Sequence, residues 1–137
     1  MGVRIRVAGV VGVVLAAVAA SAGVVRAEPG ARPSVLVLTV AGGDSLESAA
    51  SQRVVLLLCA PVVWGTHPKA GAACDELGAA GGDFTTLQGP PLRVCTQDYN
   101  PVTIAADGTW NGTSVRYRQT YPNACAMGDR SVSVFEF

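Results

Sequence analysis

The sequence predicts an α+β domain, a five-stranded antiparallel sheet with one or two short helices packed on it and two disulfides. Three observations lead there. Short runs of β-branched residues and leucine recur between turn signals. A single Ala-rich stretch has helical spacing, and four cysteines fall in the part of the chain that follows an N-terminal leader.

The leader is residues 1–27. Arg4 and Arg6 precede an uncharged apolar stretch from Val7 to Val25, and Val25-Arg26-Ala27 has the form of a small-residue cleavage site. Ala20-Ser21-Ala22 fits the same rule, so cleavage after Ala22 is the rival to cleavage after Ala27. The stretch is nearly long enough to span a membrane, but its Ala- and Gly-rich composition and the cleavage site behind it favour removal and export.

Residues 28–33 carry Glu28, Pro29, Gly30 and Pro33 and suit a flexible segment, so the domain is placed at 34–137. Ser34–Val40 (SVLVLTV) and Arg53–Cys59 (RVVLLLC) read as strands joined through a loop or short helical turn over 42–52. Pro61, Gly65, Pro68 and Gly71 make the next stretch an ordered loop. Ala72–Ala80 follows as a short helix presenting Ala73, Cys74 and Leu77 on one side. Gly81-Gly82 ends it, and Asp83 caps one more turn through Leu87.

Gly89-Pro90-Pro91 excludes regular structure and leads into an extended stretch, 92–99, broken by Cys95 and followed by Pro101. Val102–Ala106 resumes as a strand with a turn expected at Asp107-Gly108. Asn111-Gly112 is the strongest hairpin signal and feeds a strand over Thr113–Tyr121, with Val115 and Tyr117 on one face and Arg116 and Arg118 on the other. Ser131–Phe137 (SVSVFEF) alternates strictly and reads as a closing strand.

Removing Arg4, Arg6 and Arg26 leaves seven of the ten basic residues against all ten acidic ones, a formal −3 over residues 28–137. That balance argues against a nucleic-acid partner, because neutralising phosphate needs a basic surface. The length suits one domain with one core. Four cysteines in a small exported domain read as two disulfides, with three pairings open. No C-x-x-C pair and a single histidine make a zinc site a poor reading, and no cofactor or metal is expected.

Catalytic chemistry finds little support. His67 sits between Thr66 and Pro68 and reads as a loop histidine whose ring nitrogens bond nearby backbone. Asp75 and Glu76 are adjacent on a helix and diverge. Trp64 and Trp110 read as packing residues, and Asn111-Gly112-Thr113, although a glycosylation sequon, as a turn. The informative segment is 95–101, Cys-Thr-Gln-Asp-Tyr-Asn-Pro, extended and held by a disulfide at one end and proline at the other. Proteases bind substrates as extended strands, and a loop already fixed in that shape avoids much of the ordering cost. On spacing alone an ordinary crossover loop is the simpler account.

At these residues the sequence resembles the Streptomyces subtilisin inhibitor family. The resemblance rests on Cys59-Ala60-Pro61, Gly65-Thr66-His67-Pro68, Ala73-Cys74 and Leu77. It continues through Cys95, Tyr99, Pro101, Val102, Trp110, Asn123, Cys125, Met127 and the ending Ser133-Val134-Phe135-Glu136-Phe137. It spans about residues 34–137. It implies a secreted inhibitor of extracellular serine proteases, not an enzyme, with a five-stranded antiparallel sheet, two helices and a homodimer formed through the sheet. It also selects the pairing of Cys59 with Cys74 and of Cys95 with Cys125. The reactive bond then falls between Gln97 and Asp98, with Thr96 before it, Tyr99 and Asn100 after it, and Asn123 supporting the loop from behind.

Family members commonly carry Met or Lys where this chain has Gln97, often Pro at Thr96 and Val at Asp98. A neutral polar side chain fills an apolar-tolerant subtilisin pocket poorly and cannot pair with the carboxylate of a trypsin-like pocket. The departure motivates an alternative: a secreted protein that keeps the fold without potent inhibition, for example one offering Gln97 to a cross-linking enzyme.

Overall fold

The computed structural model describes Gly2, residues 30–91 and residues 94–137. Gly2 apart, the expected leader over 1–27 lies outside the described residues. So do Glu28 and Pro29 of the segment after it, and Leu92 and Arg93 of the expected extended stretch.

Five strands, β1 (Ser34–Gly42), β2 (Ser51–Ala60), β3 (Trp64–Gly65), β4 (Val102–Trp110) and β5 (Thr113–Tyr121), form one sheet in the order β3-β2-β1-β4-β5. Every neighbouring pair is antiparallel. Helix α1 (Ala70–Ala79) follows β3, and the short α2 (Ala124–Gly128) follows β5. The α+β architecture and the four longer strands agree with the sequence reading.

Alternation explains the layering. Leu36, Leu38 and Val40 of β1 point to one face with Leu57 of β2, Ile104 and Ala106 of β4 and Tyr121 of β5. Ala73, Cys74 and Leu77 of α1, then Phe84, Leu87, Val134 and Phe135, cover that face and complete a single core. Burying a leucine of this kind contributes about 1.5–3 kcal/mol relative to leaving it exposed. The Cys59–Cys74 disulfide staples α1 to β2, with Cα atoms 5.4 Å apart. The opposite face of the sheet keeps Val37 and Val54 exposed, as is Trp64.

The helix stops where its glycines permit. Gly81 and Gly82 have φ of 63° and 78°, and the Gly82 N–H returns to the Leu77 carbonyl at 2.8 Å. A Cβ on Gly82 would also lie 2.2 Å from Trp110, so the residue makes room for that ring. Asp83 then caps a 3-10 turn over Phe84–Thr86, as expected.

Three expectations are corrected. Asp107-Gly108 is not a turn: β4 runs through it to Trp110 and pairs with β1 at Val37 and Leu36. Gly108 serves a close approach there, because a Cβ would sit 2.1 Å from the Val35 carbonyl oxygen, and its φ is 141°. The reversal comes at Asn111 and Gly112, with φ of 48° and 77°, the pattern of a primed two-residue hairpin turn.

Residues 131–137 form no strand despite their alternation. The Glu76 carboxylate accepts the N–H groups of Val132, Ser133 and Val134 at 2.8, 2.7 and 3.1 Å, leaving those donors unable to join a ladder. Ser133, Val134 and Phe135 are all buried, so the segment lacks the in-and-out burial that its alternating sequence suggests. The fifth strand is the two-residue β3, inside the stretch read as a loop.

His67 is the third. Its Nδ1 accepts the nearby Lys69 N–H at 2.9 Å, but Nε2 lies 3.0 Å from the Val134 carbonyl oxygen, 67 residues away in sequence. Because Nδ1 faces a backbone donor, the Nε2 nitrogen carries the proton and donates. The ring, packed edge-on against Phe137, pins the C-terminal segment to the loop that precedes α1.

Candidate functional site

Residues 94–101 lead into β4 without regular structure, and Thr96 to Asn100 are all exposed. Such a backbone has no ladder to hold it, so its shape depends on anchors. The first is covalent. Cys95 joins Cys125 of α2 with Cα atoms 5.6 Å apart. The downstream end is tied by backbone: the Asn100 N–H donates to the Pro122 carbonyl at 2.8 Å, and the Pro101 carbonyl accepts the Gly43 N–H at 2.9 Å.

Between the anchors stands Asn123. Its side chain is buried although the loop it serves is exposed. Nδ2 donates to the Thr96 carbonyl at 3.1 Å and to the Asp98 carbonyl at 2.9 Å, while Oδ1 accepts the Ala126 N–H at 2.9 Å and caps α2. One amide therefore fixes the carbonyls on both sides of Gln97. Two residues further along α2, Cys125 holds the loop from the same short element.

The sequence-predicted residues are thus brought together: Cys95, Thr96, Gln97, Asp98, Tyr99, Asn100 and Pro101 form the loop, and Asn123 and Cys125 hold it. Asp98 is the only charged side chain in 94–101, and the Thr96 hydroxyl donates to its carboxylate. Tyr99 is 73% exposed and Val94, ahead of the disulfide, 93% exposed, so the loop presents apolar surface at both ends.

Sequence reasoning missed four supports. Gly43 and Pro122 act through backbone atoms, which no side-chain pattern reveals. Gly89 packs where a Cβ would lie 2.4 Å from the Gly128 carbonyl oxygen, and its N–H donates to the Asp129 carbonyl at 2.8 Å. Glu76 holds the segment that continues from α2.

Among the described residues no nucleophile and base meet at this loop. All four cysteines are in disulfides, and both ring nitrogens of His67 are engaged. Tyr121, at the foot of the loop's support, remains a neutral phenol because burial, and then its hydrogen bond with Tyr117, push its pKa far above the ordinary range. Among the described residues no cluster of three His, Cys, Asp or Glu side chains is placed to hold a metal. What the site offers is a shaped, exposed peptide segment.

A model of the subtilisin inhibitor-like family matches residues 32–123. The chain belongs to that family. Subtilisin inhibitor-like protein 3 of Streptomyces coelicolor is 48% identical over 105 residues, 77% of this chain and 98% of that protein. Subtilisin inhibitor-like protein 2 of Streptomyces rochei is 46% identical over 105 residues, covering 77% and 93%. Among solved structures, Streptomyces caespitosus sermetstatin in complex with Bacillus licheniformis subtilisin matches with a TM-score of 0.66 and 37% identity, over 77% of this chain and 99% of that one. Both disulfides join the cysteines that the resemblance to the subtilisin inhibitor family selects.

Proposed function

We propose that this chain is exported by its N-terminal leader and inhibits an extracellular serine protease by offering residues 96–100 as a substrate-like strand, with Gln97–Asp98 as the reactive bond. The observation that carries the reading is the grip of Asn123 on the carbonyls of Thr96 and Asp98, which immobilises the backbone around Gln97 while the side chains stay exposed. The solved relative in complex with subtilisin supports the partner class.

The chemistry belongs to the protease. Its serine oxygen attacks the Gln97 carbonyl carbon, the bond to the Asp98 nitrogen breaks, and the serine proton passes through the protease's base to that nitrogen. In an ordinary substrate the new amine diffuses away and water completes hydrolysis. Here the Gln97 side stays tied through Cys95–Cys125, and the Asp98 side through Asn123, Pro122 and Gly43. The amine stays beside the acyl carbon at high effective concentration and re-forms the peptide bond.

The uncovered sheet face, with exposed Val37 and Val54 and Trp64 at its edge, supports a homodimer formed through the sheet. Among the described residues no helix is long and apolar enough to cross a membrane.

Titration of the disulfide-intact protein against subtilisin and trypsin, with mass spectrometry of the loop, tests the proposal. Tight inhibition with slow, reversible cleavage at Gln97–Asp98 is expected. Rapid cleavage to completion without inhibition would overturn it in favour of a fold-retaining substrate protein.

A further inference from the structure

We propose that Thr96 and Asp98 form a brace across the reactive bond, making them positioning residues that keep the loop resistant to hydrolysis. The inference rests on the assignment of Gln97–Asp98 as the reactive bond. The Thr96 hydroxyl donates to the Asp98 carboxylate, so the residues on either side of Gln97 are joined through their side chains. Their carbonyls are joined on the other side by the Asn123 amide. Gln97 is thereby enclosed between two cross-links, one buried beneath the loop and one on its exposed surface.

The two differ in what they do during the reaction. Asn123 fixes the depth of the loop against α2. The Thr96–Asp98 pair spans the bond that breaks and connects the acyl half directly to the leaving half. When the bond between the Gln97 carbonyl carbon and the Asp98 nitrogen is cut, the carboxylate remains tied to the Thr96 hydroxyl, and the amine is held against swinging out of line. Asp98 is the only charged residue in 94–101, and a charge-assisted hydrogen bond to an adjacent hydroxyl uses it inside the loop. An acidic residue beside the scissile bond, unfavourable as a contact to a protease cleft, thus serves the loop's own rigidity.

The test compares inhibition constant and loop-cleavage rate for the intact protein and for Thr96→Val, Asp98→Val and the double variant, with Thr96→Ser and Asp98→Asn as versions that keep a donor and an acceptor. Each Val variant should be cleaved about five- to tenfold faster. The double variant should be cleaved no faster than either single one, and the Ser and Asn variants should stay near the parent. In the free protein the Thr96 hydroxyl proton should be observable by NMR and should vanish in Asp98→Val.

Additive effects in the double variant, or failure of the Ser and Asn versions to restore slow cleavage, would overturn the brace while leaving the reactive bond standing. An unprotected Thr96 hydroxyl in the parent overturns it without any protease. A protected hydroxyl in a protein neither cut at Gln97–Asp98 nor inhibitory instead overturns the reactive-bond assignment, and the brace with it.

Discussion

The Asn123 side chain donates to the Asp98 carbonyl at 2.9 Å and, through the oxygen of the same amide, accepts the Ala126 N–H at 2.9 Å, so one residue both starts α2 and shapes the exposed loop. Its two roles separate by substitution. In Asn123→Ser a hydroxyl can still cap the helix but cannot reach two loop carbonyls. Stability should fall by less than about 1 kcal/mol, while loop cleavage accelerates and inhibition weakens at least about tenfold. Asn123→Ala loses both functions and should cost a further 1 kcal/mol or so in urea unfolding. Unchanged inhibition in Asn123→Ser would show that the disulfide and backbone anchors suffice.

The two disulfides should have distinct consequences. Cys95 and Cys125 are 30 residues apart and one of them is in the loop, whereas Cys59 and Cys74 are 15 apart and pin α1 to β2. Chain-entropy arguments give each about 3–4 kcal/mol of stabilisation. Replacing both Cys95 and Cys125 by serine should therefore lower stability by a similar amount to the other pair, and it alone should turn the loop into a rapidly hydrolysed substrate. Cleavage rates measured well below each variant's melting temperature check this.

With Gln97–Asp98 as the proposed reactive bond, the exposed Gln97 side chain is the one that would enter the specificity pocket. Gln97→Met supplies an apolar unbranched side chain for a subtilisin pocket, and Gln97→Lys supplies a charge for a trypsin pocket. Each should tighten inhibition of its matching protease by at least about tenfold with no change in melting temperature. Equal inhibition constants for all three side chains would mean that another bond enters the cleft.

Asp83 makes a pH-dependent contribution whose sign is fixed by geometry. The Thr85 hydroxyl at 2.6 Å, and then the Thr85 N–H at 2.9 Å, stabilise its carboxylate and hold its pKa below the ordinary value of 3.8. A depressed native pKa means the unfolded chain takes up the proton first. The contribution is present in full above 3.8 and is lost as pH falls through the lowered native value. The melting-temperature difference between the parent and Asp83→Asn should be constant above about pH 5 and shrink below pH 4. A difference independent of pH would exclude the carboxylate as its source.

Much of this was legible in the sequence. The strands of β1, β2, β4 and β5 were carried by β-branched runs, and α1 by the spacing of Ala73, Cys74 and Leu77. The loop was visible in Cys95 and Pro101, although its register came from resemblance. What failed shares a cause. Gly108 looks like a turn residue, and only the partner strand shows that it is there for the Val35 carbonyl. Ser131–Phe137 has the period of a strand, but its N–H groups are claimed by Glu76, more than 50 residues earlier in the chain. Local pattern reports what a segment can pair with, and tertiary contacts decide what it does pair with.

Glu76 makes that competition measurable. Its carboxylate takes three successive backbone donors from the segment that continues from α2, which carries the loop supports Asn123 and Cys125. The same segment is pinned by His67 at the Val134 carbonyl, and Lys69 pairs with Glu136 at 2.7 Å. The Lys69–Glu136 pair is exposed and contributes little, so the strap depends on Glu76 and His67. Glu76→Ala leaves three N–H groups without their acceptor and should cost about 2–3 kcal/mol. Amide exchange at Val132, Ser133 and Val134 should rise before that of β1, because local release precedes global unfolding. Loop cleavage should rise only modestly, since Asn123 and the disulfide remain. A loss of inhibition as large as that of Asn123→Ser would mean instead that the strap, through α2, sets the position of the loop.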